Sequence, residues 1–159
     1  LVNALAVYDD GNGPALYVGG SFTTILGIAA QHVAKWDGVR WSEVAGGTND
    51  FVQALAVHDD GSGPALFVGG NFTLAGGAPA ARIAKWDGSV WSPLGAGTNG
   101  TVLALASFGG ALIAGGQFNT AGGGAASRIA RWSGSSWSVL GSGVGGLTVQ
   151  SLVAGSSSL

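Results

Sequence analysis

Residues 66–94 read LFVGGNFTLAGGAPAARIAKWDGSVWSPL, and nearly the same text stands at 16–44 and at 112–140. Each copy opens on an apolar run closed by a glycine pair: Gly19 and Gly20, Gly69 and Gly70, Gly115 and Gly116. A loop of small residues follows. A second run ends at Trp36, Trp86 or Trp132, and a third begins at Trp41, Trp91 or Trp137, five positions on. Self-similarity at a long fixed period marks stacked structural units, none of which buries its apolar face alone.

Working outward, Val2, Val52 and Val102 open the copies at a spacing of 50 residues. Val149 follows after 47, because the turn after Ala106 is shorter. The chain therefore divides into repeats at 1–51, 52–101 and 102–148. Residues 149–159 remain as the first strand of a further repeat, or as a strand lent to a neighbour.

Four strands are expected per repeat. The first is VNALAV (2–7), VQALAV (52–57) and VLALAS (102–107), with VQSLVA at 149–154. A turn of YDDGNGP, HDDGSGP or FGG leads to the second, ALYVGG, ALFVGG or ALIAGG. Asp and Gly tolerate the positive φ that tight hairpins need. SFTTILGIAA, NFTLAGGAPA and QFNTAGGGAA read as loops. HVAKW, RIAKW and RIARW form the third strand, and RWSEV, VWSPL and SWSVL the fourth. No stretch spaces its apolar residues at the helical period over a helix-length window. The first two strands are apolar on both sides, which implies two covered faces. An all-β fold follows. A β-propeller of four-stranded blades is the first choice, with three full repeats plus the first strand of a fourth. A three-sided β-helix is the runner-up.

Composition limits the partners. A net charge of −2 leaves no basic footprint for nucleic acid or anionic lipid. The chain is 47 % apolar, too much for a disordered segment. There is no Cys, so disulfides and thiolate metal sites are excluded. With no Met and a strand-like opening, it reads as a piece of something longer. The most apolar span, 102–118, has the length of a short membrane helix. Its four glycines argue for two strands and a turn instead, so membrane insertion is not expected.

Each glycine pair, the aromatic closing the third strand and the Trp after it together resemble the kelch propeller repeat. Trp stands where kelch usually has Tyr, the turn between the third and fourth strands is shorter, and a GGxFTxAGG element is added. Those departures are similar to the kelch-like, delta-60-type repeats of large bacterial secreted and surface proteins. The resemblance implies a propeller and an extracellular or cell-surface location, and leaves function open.

The tryptophans recur in every repeat, which fits packing between blades. The alternative is glycan stacking on Trp41, Trp91 and Trp137. Lys35, Lys85 and Arg131 precede the first Trp of each pair, with His32, Arg82 and Arg128 three positions earlier. On a strand those two sets take opposite faces. They are expected as solvated charges or as pairs to Asp37 and Asp87, with an anion-binding ring the alternative. The Asp9-Asp10 and Asp59-Asp60 turns faintly suggest Ca²⁺ but lack the alternating ligands and distal Glu of a calcium loop. A plain hairpin turn is expected. Asn71 and Asn99 open N-x-T sequons, hence candidate N-glycosylation sites. His32 and His58 lie at non-equivalent places, and no G-x-S-x-G elbow occurs.

No cofactor, metal or catalytic group is therefore expected. Three blades leave two apolar faces open, so further blades of the same chain or other copies of it are the expected partners. The expected function is a non-enzymatic scaffold within a larger secreted or surface protein, with self-assembly into an extracellular fibre as a special case. A carbohydrate-binding propeller is the alternative. An enzyme in a central channel ranks below both, because the first strands offer only Asn3, Gln53, Ser107 and Gln150.

Overall fold

The computed structural model describes residues 1–153. The first repeat begins with β1 (Val2–Asp9) and β2 (Pro14–Gly20). A short hairpin, β3 (Thr24–Ile25) and β4 (Ile28–Ala29), precedes β5 (Val33–Trp36) and β6 (Trp41–Glu43). The second repeats this as β7 (Val52–Asp59), β8 (Pro64–Gly70), β9 (Leu74–Ala75), β10 (Ala78–Pro79), β11 (Ile83–Trp86) and β12 (Trp91–Pro93). The third gives β13 (Val102–Phe108), β14 (Ala111–Gly116), β15 (Thr120–Ala121), β16 (Gly124–Ala125), β17 (Ile129–Trp132) and β18 (Trp137–Val139). The result is three four-stranded antiparallel sheets, ordered β1-β2-β5-β6, β7-β8-β11-β12 and β13-β14-β17-β18. No helix occurs among the described residues.

The loops expected after each glycine pair instead hold the small hairpins β3-β4, β9-β10 and β15-β16. Their turns carry Leu26-Gly27, Gly76-Gly77 and Gly122-Gly123 at positive φ, the conformation that folds a two-residue turn back on itself. Residues 149–153, expected as a strand, have no ladder partner and are not a strand. In β1, β7 and β13 that partner is the second strand of the same sheet, and no such strand follows 149 among the described residues. Residue 154 lies outside the described residues.

The sheets stack in chain order, with β7 beside both β1 and β13. One face of the first sheet, through Tyr17, Val33 and Val44, packs on Val52, Leu66, Phe72 and Trp91 of the second. The opposite face of the second, through Phe67, Ile83 and Leu94, packs on Val102, Leu112, Phe118 and Trp132 of the third. Central strand β8 is therefore buried on both faces, as its unbroken apolar run demands. The other face of the first sheet, with Val18, Leu16, Phe22 and Trp41, is covered by no sheet among the described residues.

Register explains the glycine pairs. Each first strand has a bulge, between Val2 and Ala4, Val52 and Ala54, Val102 and Ala104. The extra residue breaks the two-residue alternation. Val52 and Leu55, three apart, consequently point the same way and close on Gly19. A Cβ at Gly19 would lie 2.4 Å from Val52 Cγ1, and one at Gly69 would lie 2.5 Å from Val102 Cγ1. The first glycine of each pair is thus a socket, and the Val/Leu pair of the following repeat is the knob.

Candidate functional site

The repeated contact between sheets is the most elaborated feature of the molecule, and three sets of polar groups fix its register. The indole N–H of Trp91 donates to Val44 O at 3.1 Å, and that of Trp137 donates to Leu94 O at 2.8 Å. Each fourth strand is thereby tied to the end of the fourth strand one repeat earlier. The link after each sheet also pairs with the next small hairpin. Gly76 N donates to Gly47 O and Gly122 N to Gly97 O, both at 2.8 Å. Asn49 Oδ1 accepts from Thr73 N and Leu74 N, while Asn99 Oδ1 accepts from Asn119 N and Thr120 N. These two asparagines staple consecutive repeats. The recurring Thr-Asn at 48–49 and 98–99 was the available signal.

The candidate stacking residues separate. Trp91 is only 8 % exposed and its N–H is committed. Trp137 is half-buried with its N–H likewise committed. Trp41 is half-buried on the open face and has no hydrogen-bond partner among the described residues. Each packs obliquely on the first Trp of its own repeat, with ring centroids 5.3–5.4 Å apart. Such cross-strand pairs contribute about 0.5–1.5 kcal/mol beyond area burial.

The basic residues are placed differently from expectation. Lys35 pairs with Asp10, and Lys85 with Asp60 Oδ2 at 3.0 Å, instead of with Asp37 and Asp87. The β-ladder sets Lys35 opposite Tyr17, next to the first turn. Burial alone would raise the Asp10 carboxyl, but hydrogen bonds from Lys35, Tyr17 and Asn12 hold it below the ordinary carboxylate value. Asp60 is lowered in the same way, against its burial, by Ser62 and Lys85. Burial, then the Asp10 acceptor, pushes the Tyr17 phenol up. Asp37 is lowered by the backbone N–H groups of Arg40 and Val39 that its carboxylate caps. Asp9 and Asp59 cap their own turns, each accepting from two glycine N–H groups. The third repeat has Gly109 and Gly110 in its turn, and Arg131 has no ion pair among the described residues.

His32, Arg82 and Arg128 do not begin the third strand. They precede it in the left-handed region, at φ 65°, 66° and 65°. Two backbone hydrogen bonds hold each one there. Gly70 N donates to Arg82 O at 3.0 Å and Arg82 N donates to Phe72 O at 2.9 Å, with equivalent bonds at His32 and Arg128. The two arginines reach backbone carbonyls, Arg82 Nη1 to Thr98 O and Arg128 Nε to Leu147 O. His58 bonds Ser107 Oγ across a sheet interface at 2.8 Å, and burial holds its pKa below the ordinary value despite nearby Asp60 and Asp59. The two histidines do not converge.

Asn99 donates its amide to Asn119 Oδ1, so the sequon nitrogen at that position is already engaged. Asn71 is half-buried and its side chain makes no hydrogen bond among the described residues. Comparison with protein-family models, with characterised proteins and with solved structures returns no match to this chain.

Proposed function

We propose that the chain is a non-enzymatic interaction scaffold: a β-propeller segment of a larger secreted or cell-surface protein, whose sheets are blades. The observation that carries this reading is the sheet-to-sheet contact, made twice with the same knobs, sockets and indole bonds. A surface specified that closely in successive repeats is suited to adding further blades, from the same chain or from other copies. The polar side chains named above are spent on turns, links and ion pairs within this framework. Rigidly stacked sheets hold loops at fixed spacing, and loops vary at little cost. Bulges and close-packed glycines near the first strands suit the convergence of blades on an axis. The kelch-like motif supports the same geometry and an extracellular setting.

Electron microscopy of the purified 159-residue chain and its assemblies tests the architecture. Radial sheets around a central axis are expected. Sheets stacked in a straight prism would return the β-helix runner-up to first place. Carbohydrate binding is kept as a second reading on one observation, the half-buried Trp41 indole, whose N–H has no partner among the described residues. Glycan-array binding that disappears in Trp41→Ala and survives in Trp137→Ala would favour it.

A further inference from the structure

The third sheet carries the same socket as the first two, and residues 149–152 fill it. A Cβ at Gly115 would lie 2.6 Å from Val149 Cγ1 and 3.3 Å from Leu152 Cδ1. At Gly69 the corresponding distances are 2.5 Å to Val102 Cγ1 and 3.4 Å to Leu105 Cδ1. Val149 N also donates to Gly116 O at 3.0 Å. The tail thus reproduces the knob of a first strand without being a strand.

Among the described residues, the corresponding knob of the first sheet stands exposed. Val2 and Leu5 are 51 % and 60 % exposed, whereas Val52 and Val102, seated in their sockets, are 0 % exposed. Their sequence matches the tail residue for residue in kind: VNAL at 2–5 against VQSL at 149–152. One socket therefore has two claimants of the same shape. We propose that residues 149–152 act as a latch on the Gly115 socket, and that β1 of a second copy is the competing occupant. Releasing the latch lets copies join head to tail through the interface already used twice within the chain. This rests on the scaffold reading for its biological sense but not for its geometry.

The docked knob brings a further bond with it. Trp91 and Trp137 donate to Val44 O and Leu94 O, so Trp41 of the second copy is set to donate to Leu140 O, the equivalent carbonyl. One mismatch weakens the intermolecular contact relative to the internal ones. Leu26, 86 % exposed, stands where Gly76 and Gly122 donate to the preceding link, and where a Cβ at Gly76 would lie 3.3 Å from Ala45 O of that link. The tethered latch therefore holds the socket in the unmodified chain. The contact is heterologous, so released copies form either a closed ring or an open filament.

The test is sedimentation of the full chain and of its Val149→Asp/Leu152→Asp variant across a concentration series. Near-ultraviolet circular dichroism confirms that the sheets persist. The variant is expected to associate at least about tenfold more tightly than the unmodified chain, as the loss of the half-buried Val149 and Leu152 side chains from the latch implies. Adding Leu5→Asp should abolish the gain, and a free peptide of residues 147–153 should reverse it. Leu152→Ala, which only trims the knob, should move association the same way by less, and it decides the matter if the double variant unfolds. A folded variant that stays monomeric, or association indifferent to Leu5→Asp, overturns the latch. Radial or prismatic sheets in the micrographs leave this result untouched, so failure here is separable from failure of the propeller reading.

Discussion

Single atoms decide how these sheets meet. Gly69 has no positive φ to protect, and its identity rests on space alone. Gly69→Ala is expected to destabilise the chain by about 1–3 kcal/mol through overpacking against Val102. Val102→Ala in the same molecule should recover part of that loss, because the added methyl then occupies the space vacated by Val102. Urea midpoints of the four combinations test this, and strict additivity would mean that the socket is not where the strain lies. The buried carboxylates give a second residue-level prediction. Asp10 and Asp60 sit below their ordinary value in the folded state, so the stability they contribute is present above about pH 4 and is lost as pH falls further. His58 acts in a higher window. Its lowered folded pKa leaves stability intact above about pH 6.5, and below that the unfolded chain takes up the proton first. Asp10→Asn/Asp60→Asn should flatten the acid limb below about pH 4 and deepen the decline from about pH 6.5, because the Asp60 charge no longer offsets the burial of His58. Equal acid limbs in both proteins would show that other groups govern the transition.

At the level of elements, the strands were legible in the sequence because apolar runs, glycine pairs and tryptophans recur at one spacing. What escaped was local and backbone-borne. The bulge after Val2, Val52 and Val102 has no residue signature, yet it puts residues three apart on one face. The small hairpins looked like loops because their strands are two residues long and rich in Ala and Gly. His32, Arg82 and Arg128 read as strand residues because nothing in a His or an Arg announces a left-handed backbone, which typically costs about 1–2 kcal/mol. The expected pairing of Lys35 with Asp37 followed sequence proximity, whereas the ladder brings Lys35 to Asp10. Tryptophan was legible as a packing residue, but the carbonyl each indole N–H would choose was not. That choice is testable. Trp91→Phe should cost about 1–2 kcal/mol more than Trp41→Phe, since Trp91 is the more buried of the two and only its replacement breaks a buried hydrogen bond. Equal losses by thermal or urea unfolding would remove the indole bond from the interface account.

Across the whole molecule, stability should be graded by how many faces each sheet has covered. In stacked repeats the total is close to a sum of unit terms and nearest-neighbour terms. The central sheet has a neighbour on each side, and Leu66, Phe67 and Val68 in β8 are all fully buried. The third sheet has one full neighbour and the partial cover of Val149 and Leu152. The first has one neighbour and an opposite face that no sheet covers among the described residues, where Phe22 is only half-buried while its counterparts Phe72 and Phe118 are fully buried. Amide exchange should follow that order: slowest in β8 and β11, intermediate in β14 and β17, fastest in β2 and β5. These strands are interior to their sheets and have comparable ladders, so differences among them report the faces and not hydrogen-bond count. Raising the concentration of the Val149→Asp/Leu152→Asp variant should then slow exchange in β2 and β5 of one copy and in β14 and β17 of the next, the two faces the contact covers, and leave β8 and β11 unchanged. Uniform protection across all three sheets at every concentration would instead mean that the repeats unfold as one unit, and that an open face carries no local penalty.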